Sequence, residues 1–79
     1  MADNKVTDSI EAPGGARCVD IFMRPDKSWG FEEYRRDSED GTGWFRIGFH
    51  ADRRFANRDD ACEAALQSVT WLRAQASEL

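Results

Sequence analysis

The sequence predicts an α+β domain, a three- to four-stranded antiparallel sheet with one C-terminal helix packed on one face, in the order β-β-β-α. Three observations predict it. Val19, Ile21 and Met23 alternate with Cys18, Asp20 and Phe22, and Phe45, Ile47 and Phe49 alternate with Trp44, Arg46, Gly48 and His50, giving two runs of period two as strands require. Clusters of Gly, Pro, Asp and Ser separate these runs, as hairpin turns require. From Asn57 onward the apolar spacing changes to three and four, the period of a helix with one buried stripe.

Each element follows from its residues. Residues 1–16 read as a flexible N-terminal arm: they are polar, offer only Val6 and Ile10 as sizeable apolar side chains, and end in Pro13, Gly14 and Gly15. Val19, Ile21 and Met23 alternate with Cys18, Asp20 and Phe22 in the first predicted strand, and Pro25 and Asp26 turn the chain. The second strand, residues 29–36, carries Trp29, Phe31 and Tyr34, whose phase slips between Phe31 and Tyr34; a bulge or a twisted edge would account for the slip. Residues 37–43, with two glycines among Asp, Ser, Glu and Thr, form the clearest loop. The third strand, residues 44–50, then places Phe45, Ile47 and Phe49 on an inward face and Trp44, Arg46 and His50 on the outward one. Residues 54–56 are expected to add a brief fourth strand.

The helix has the strongest local signals. Asn57 is an N-cap residue, and Asp59 and Asp60 place negative charge where the helix dipole favours it. Ala61, Cys62, Ala65, Leu66, Val69 and Leu72 form its apolar face, and Trp71 lies at the flank, closing the core edge or forming a contact patch. The domain proper is expected over residues 17–76, with residues 77–79 frayed.

Composition bounds the function. A chain of 79 residues holds one domain with a thin core, to which three tryptophans contribute disproportionately. No segment is apolar over the length of a membrane span, and the opening residues lack a basic start and an apolar run, so a cytoplasmic location with Cys18 and Cys62 as reduced thiols is expected. The net charge of −4 disfavours a general nucleic-acid binder, yet it is unevenly distributed. Residues 1–16 carry Lys5 against Asp3, Asp8 and Glu11, whereas residues 44–58 carry Arg46, Arg53, Arg54 and Arg58 against Asp52.

No constellation for catalysis is visible. His50, Cys18 and Cys62 are scattered, with no CxxC, HExxH or second histidine, so neither a metal nor a cofactor is expected. Cys62 could have its thiol acidified by the helix start but reads better as a small buried residue. Glu32 and Glu33 are adjacent and fall on opposite faces of a strand. One helix covers one sheet face, so the other is the candidate interaction surface, assigned to Trp44, Arg46, His50, Tyr34, Arg53 and Arg54. Two alternatives stand beside this. Trp44 could simply pack across strands on Tyr34 or Trp29 while Arg46 pairs with Glu32 or Glu33, and the arginines could be merely solvated or salt-bridged.

Trp44, Phe45, Arg46 and Ile47, followed by the run from Phe55 through Asn57, Asp60, Ala61 and Ala64, resemble small uncharacterised bacterial domains. In those, a hairpin ending in an aromatic leads into a helix beginning T/N-x-x-[DE]-A-x-x-A. The layout of residues 18–74 is also similar to the three-strand-plus-helix DNA-binding domains of the AP2 and integrase-arm type. That resemblance implies that Trp44 and Arg46 on the sheet would read a DNA groove. The expected function is a non-catalytic protein-interaction or accessory module acting through its open sheet face, with a protein partner or a second copy. The alternative is nucleic-acid binding by the same face.

Overall fold

A computed structural model describes residues 4–36 and 43–77 of the chain. Residues 37–42 of the loop expected at 37–43, and the last two residues of the expected frayed end, lie outside the described residues. Four antiparallel strands, β1 (Lys5–Glu11), β2 (Arg17–Met23), β3 (Trp29–Arg36) and β4 (Trp44–Arg46), form one sheet in the order β1-β2-β3-β4. Two helices follow, α1 (Arg58–Ser68) and α2 (Thr70–Ser77). The α+β class, the antiparallel sheet and the C-terminal position of the helical segment are as the sequence predicts. No helix among the described residues is long and apolar enough to cross a membrane.

The expected N-terminal arm is corrected: Lys5–Glu11 is an edge strand paired along β2. Pro13, Gly14 and Gly15 are the hairpin turn that joins them, with Gly14 and Gly15 both at positive φ, and Ala12 N–H bonds Arg17 O at 2.8 Å. The strand escapes period-two reading because the β1–β2 register shifts between Val6 and Asp8. Val6 pairs with Phe22 and Ile10 with Val19, so two apolar residues four apart point to opposite faces. The bulge expected in β3 is absent, since β2 and β3 pair without interruption from Arg17↔Arg35 to Met23↔Trp29. The slip at Tyr34 is a change of face: Trp29, Phe31 and Glu33 lie toward the helices, and Gly30, Glu32 and Tyr34 lie away.

The third predicted strand is also shorter than expected. After Arg46, the Ile47 N–H makes one more ladder bond to Glu33 O at 3.0 Å, and the chain then leaves the sheet. It returns at Phe55, which exchanges two 2.9 Å backbone bonds with Trp29 in place of a full fourth strand. The inward face assigned to Phe45, Ile47 and Phe49 is therefore corrected. Phe45 does lie on the helix side but is 40% exposed, because α1 packs on β2 and β3 and does not reach the β4 edge. Phe49 is 74% exposed at φ 54°, a left-handed conformation that a bulky side chain rarely adopts.

The core joins Val19, Ile21 and Phe31 of the sheet to Ala61, Ala64, Ala65, Val69 and Leu72 of the helical segment. Alanines at the contact let α1 lie close on β2 and β3. Asn57 caps α1, its Oδ1 accepting Asp60 N–H at 2.8 Å. The single predicted helix is two, because Val69 is extended (φ −108°, ψ 105°). Two β-branched residues in succession, Val69 and Thr70, weaken the helix there, and the break lets Val69 and Leu72 both reach the core. Trp71 is half-buried against the core, and its Nε1–H donates to Glu33 Oε2 at 2.9 Å.

Candidate interaction surface on the open sheet face

The register sorts the sheet side chains into two sets. Opposite the helices, β1 presents Val6, Ser9 and Glu11, and β2 presents Cys18, Asp20 and Phe22. β3 adds Glu32, Tyr34 and Arg36, and β4 adds Trp44 and Arg46. The face has two halves with different roles.

One half is structural. The Phe22 ring lies across Gly30, where any Cβ would fall 2.9 Å from the ring and 2.7 Å from Arg24 Nη2. The Arg24 guanidinium sits over Phe22 at 5.0 Å and donates to the carbonyls of Trp29 (3.0 Å), Arg53 (3.0 Å) and Ala51. Glu32, fully buried, answers it with acceptors. Its Oε1 takes Glu33 N–H at 2.9 Å and His50 N–H at 3.2 Å, and its Oε2 takes Ala51 N–H at 3.0 Å. An acidic and a basic side chain thus hold the backbone of residues 50–53 where β4 has left the sheet, supplying partners that a strand would have supplied. Gly48 is required beneath this loop, since a Cβ there would lie 2.5 Å from the His50 ring.

The other half is accessible. Trp44 is 39% exposed, with the Arg36 guanidinium 4.9 Å from its ring centre; Arg36 Nε also donates to Gly15 O at 3.1 Å. Tyr34 pairs in register with Arg46, whose Nε lies 3.8 Å from Glu32 Oε2. A crevice of about 180 Å³ opens between Ser9, Glu11, Cys18, Asp20, Tyr34 and Trp44. Burial, then the Asp20 and Glu11 carboxylates, push the Cys18 thiol up to about 11, against an opposing pull from Arg36. Burial and the charges of Asp20 and Glu32 likewise raise the Tyr34 phenol.

Of the six residues assigned from sequence, Trp44, Arg46 and Tyr34 come together on this face. The other three do not. His50 stacks on Phe31 at 4.8 Å between ring centres, beyond the β4 end. Arg53 lies 5.5 Å from the Phe31 ring and 5.4 Å from the Phe55 ring and donates to Ser68 Oγ at 3.0 Å. Arg54 is ion-paired with Asp26 at 2.6 Å, and Arg58 makes a two-point contact with Asp8 at 2.7 and 2.9 Å. The basic cluster of the sequence is therefore spread over the molecule. Sequence reading also missed Ser9, Glu11, Cys18 and Asp20 as neighbours of Trp44. Only recognition of β1 would have found them, and its bulge hides the alternation that marks a strand.

The thiols do not form a reactive pair. Cys18 is buried on the open-face side, and Cys62 is half-buried on α1, with its thiol raised by burial against the opposing effect of Arg58. Among the described residues, no three His, Cys, Asp or Glu side chains converge as a metal site. Comparison adds no family. No family model, curated protein or solved structure matches the chain. The functional reading therefore rests on the geometry of the open face.

Proposed function

We propose that this domain is a small, non-catalytic protein-interaction module that docks a partner through the half of its open sheet face built from Tyr34, Trp44 and Arg46. The observation that carries the reading is Trp44: a large aromatic, exposed on a face that the helices leave uncovered, beside a tyrosine and two arginines. Trp, Tyr and Arg are the side chains that most often dominate interface energetics. Unbridged Cys18 and Cys62 suit a reducing, cytoplasmic setting. Nucleic-acid binding by the same face has less support, because Arg53, Arg54 and Arg58 are engaged within the fold and away from Trp44.

The test is affinity capture from the source cells with wild type, Trp44→Ala and a helix-face control, Glu63→Ala/Gln67→Ala, followed by titration of each purified protein with the purified partner. Trp44→Ala is expected to weaken binding by roughly tenfold or more, with the control unchanged. A partner that binds wild type and Trp44→Ala equally would overturn the assignment.

A further inference from the structure

The sheet carries five carboxylates among its described strands, and three have a cation beside them. Asp8 is bound by Arg58, Glu33 lies 3.6 Å from Arg17, and Glu32 lies 3.8 Å from Arg46. Glu11 and Asp20 have no cationic partner among the described residues; Asp20 accepts the Ser9 hydroxyl at 2.7 Å. These two unpaired charges are neighbours. Glu11 pairs with Cys18 and Ser9 with Asp20 across β1 and β2, so both carboxylates line the same crevice of about 180 Å³ on the open face. The Cys18 side chain, 6% exposed and without a hydrogen-bond partner among the described residues, lies at its base, and Tyr34 and Trp44 border it on the β3 and β4 side.

Two carboxylates beside two aromatic rings are complementary to an organic cation. The acids supply charge, and the ring faces supply a surface that a cation can approach with little loss of solvation. Trp44 already does this for one guanidinium, that of Arg36. Burial is the main cause that raises the Cys18 thiol and the Tyr34 phenol; Asp20 adds to both and Glu11 to Cys18, where Arg36 opposes them.

We infer that this crevice receives a lysine or arginine side chain from an extended basic segment of a partner protein. The inference rests on the interaction reading above and specifies the chemistry of the partner. A net charge of −4 favours approach of such a segment over an acidic one, and the unpaired acids give it a place to dock.

The probe is the peptide acetyl-Gly-Arg-Gly-Arg-Gly-amide, with a Gln-for-Arg counterpart, titrated at low salt into ¹⁵N-labelled protein. The arginine peptide is expected to shift the backbone amides of Ser9, Glu11, Cys18, Asp20 and Tyr34 and the Trp44 indole, and the glutamine peptide to shift none of them. Glu11→Gln/Asp20→Asn is expected to weaken binding roughly tenfold, while Asp52→Asn/Glu63→Gln, which removes the same charge from exposed positions elsewhere, leaves it unchanged. Thermal melting of Glu11→Gln/Asp20→Asn should match wild type, since no intramolecular ion pair is removed. Equal weakening by both double variants, shifts scattered over the molecule, or no binding at millimolar peptide would overturn the inference. So would light scattering that finds a wild-type dimer dissolved by Glu11→Gln/Asp20→Asn, because the occupant would then be a second copy of this chain. A natural partner lost by Trp44→Ala but retained by Glu11→Gln/Asp20→Asn would remove the crevice assignment alone and leave the interaction reading standing. A partner indifferent to both would remove both.

Discussion

Glu32 offers the sharpest test of the structural reasoning. It is fully buried on the face opposite the helices, where a carboxylate would be costly without partners, and it accepts three backbone N–H groups at 2.9, 3.2 and 3.0 Å. Replacing it with alanine removes all three acceptors. Hydrogen bonds to a charged group contribute about 1.5–3 kcal/mol each, but the His50 and Ala51 amides can turn to water once the loop lifts, so the three do not add. The expected loss for Glu32→Ala is about 3 kcal/mol, out of a total stability on the order of 4–12 kcal/mol for a domain this size. Glu32→Gln keeps one acceptor but turns an NH₂ toward a backbone donor, and is expected to cost about 1–2 kcal/mol.

Glu32 and Arg24 should be energetically coupled. Arg24 holds the carbonyls of Ala51 and Arg53 while Glu32 holds the amides of His50 and Ala51, so each depends on the other keeping the loop in place. In a double-mutant cycle, Glu32→Ala and Arg24→Ala together should cost less than the sum of their separate effects, by about 1 kcal/mol or more. Urea unfolding followed by tryptophan fluorescence and circular dichroism measures the stabilities, and amide exchange at His50 and Ala51 reports on the loop itself. A Glu32→Ala loss below about 0.5 kcal/mol, the range of ordinary surface substitutions, would refute the clamp, as would strict additivity with Arg24→Ala.

Three further outcomes are expected. Gly30→Ala should destabilise by about 1–3 kcal/mol, because its methyl group would force the Phe22 ring and the Arg24 guanidinium off the sheet; thermal melting checks this. Asp8 has its carboxyl held below the usual range, first by the Arg58 hydrogen bond and then by that of Thr7. Its contribution is therefore present above the unfolded value near pH 4 and is lost as pH falls through the lower folded value, so the stability gap between wild type and Asp8→Asn should narrow in acid. In Ellman titration at pH 8, half-buried Cys62 should react before Cys18, which is buried and raised to about 11; Cys18 should lag by roughly tenfold or more until the protein is unfolded in guanidinium.

The parts of the fold legible in the sequence are those whose periodicity is intact. β2 alternates without a bulge, and α1 carries its own cap and first-turn acids, so both were readable residue by residue. β1 was not, because the shift at Val6/Asp8 reverses the facing of Ile10 and because an edge strand with one covered face needs few apolar residues. The end of β4 was misread for the opposite reason. Residues 44–50 alternate cleanly, yet Gly48 and left-handed Phe49 break the strand in favour of a loop whose backbone is satisfied by Glu32 and Arg24, residues distant in sequence. Local pattern cannot report a partner that the fold brings from another strand. The candidate surface was half legible: Tyr34, Trp44 and Arg46 follow from strand parity, whereas Glu11 and Asp20 require β1 to be in place.

The disposition of the arginines connects the fold to the proposed role. Arg58 joins β1 to α1 through Asp8, Arg54 joins the loop before α1 to the β2–β3 turn through Asp26, and Arg53 covers Phe31 and Phe55. Each sits far from Trp44 because each is held by the element that it fastens. A basic stretch in the sequence has thereby become a set of separate braces. The sheet acids follow the complementary logic. Those between β3 and the helices or beside the loop have partners within the chain, whereas Glu11 and Asp20 stand on the face that the helices leave uncovered, next to the aromatic rings of Tyr34 and Trp44. Glu11 pairs with Cys18 and Asp20 with Ser9, so the two carboxylates are diagonal neighbours on one face, which is where the cation proposed above would meet both at once.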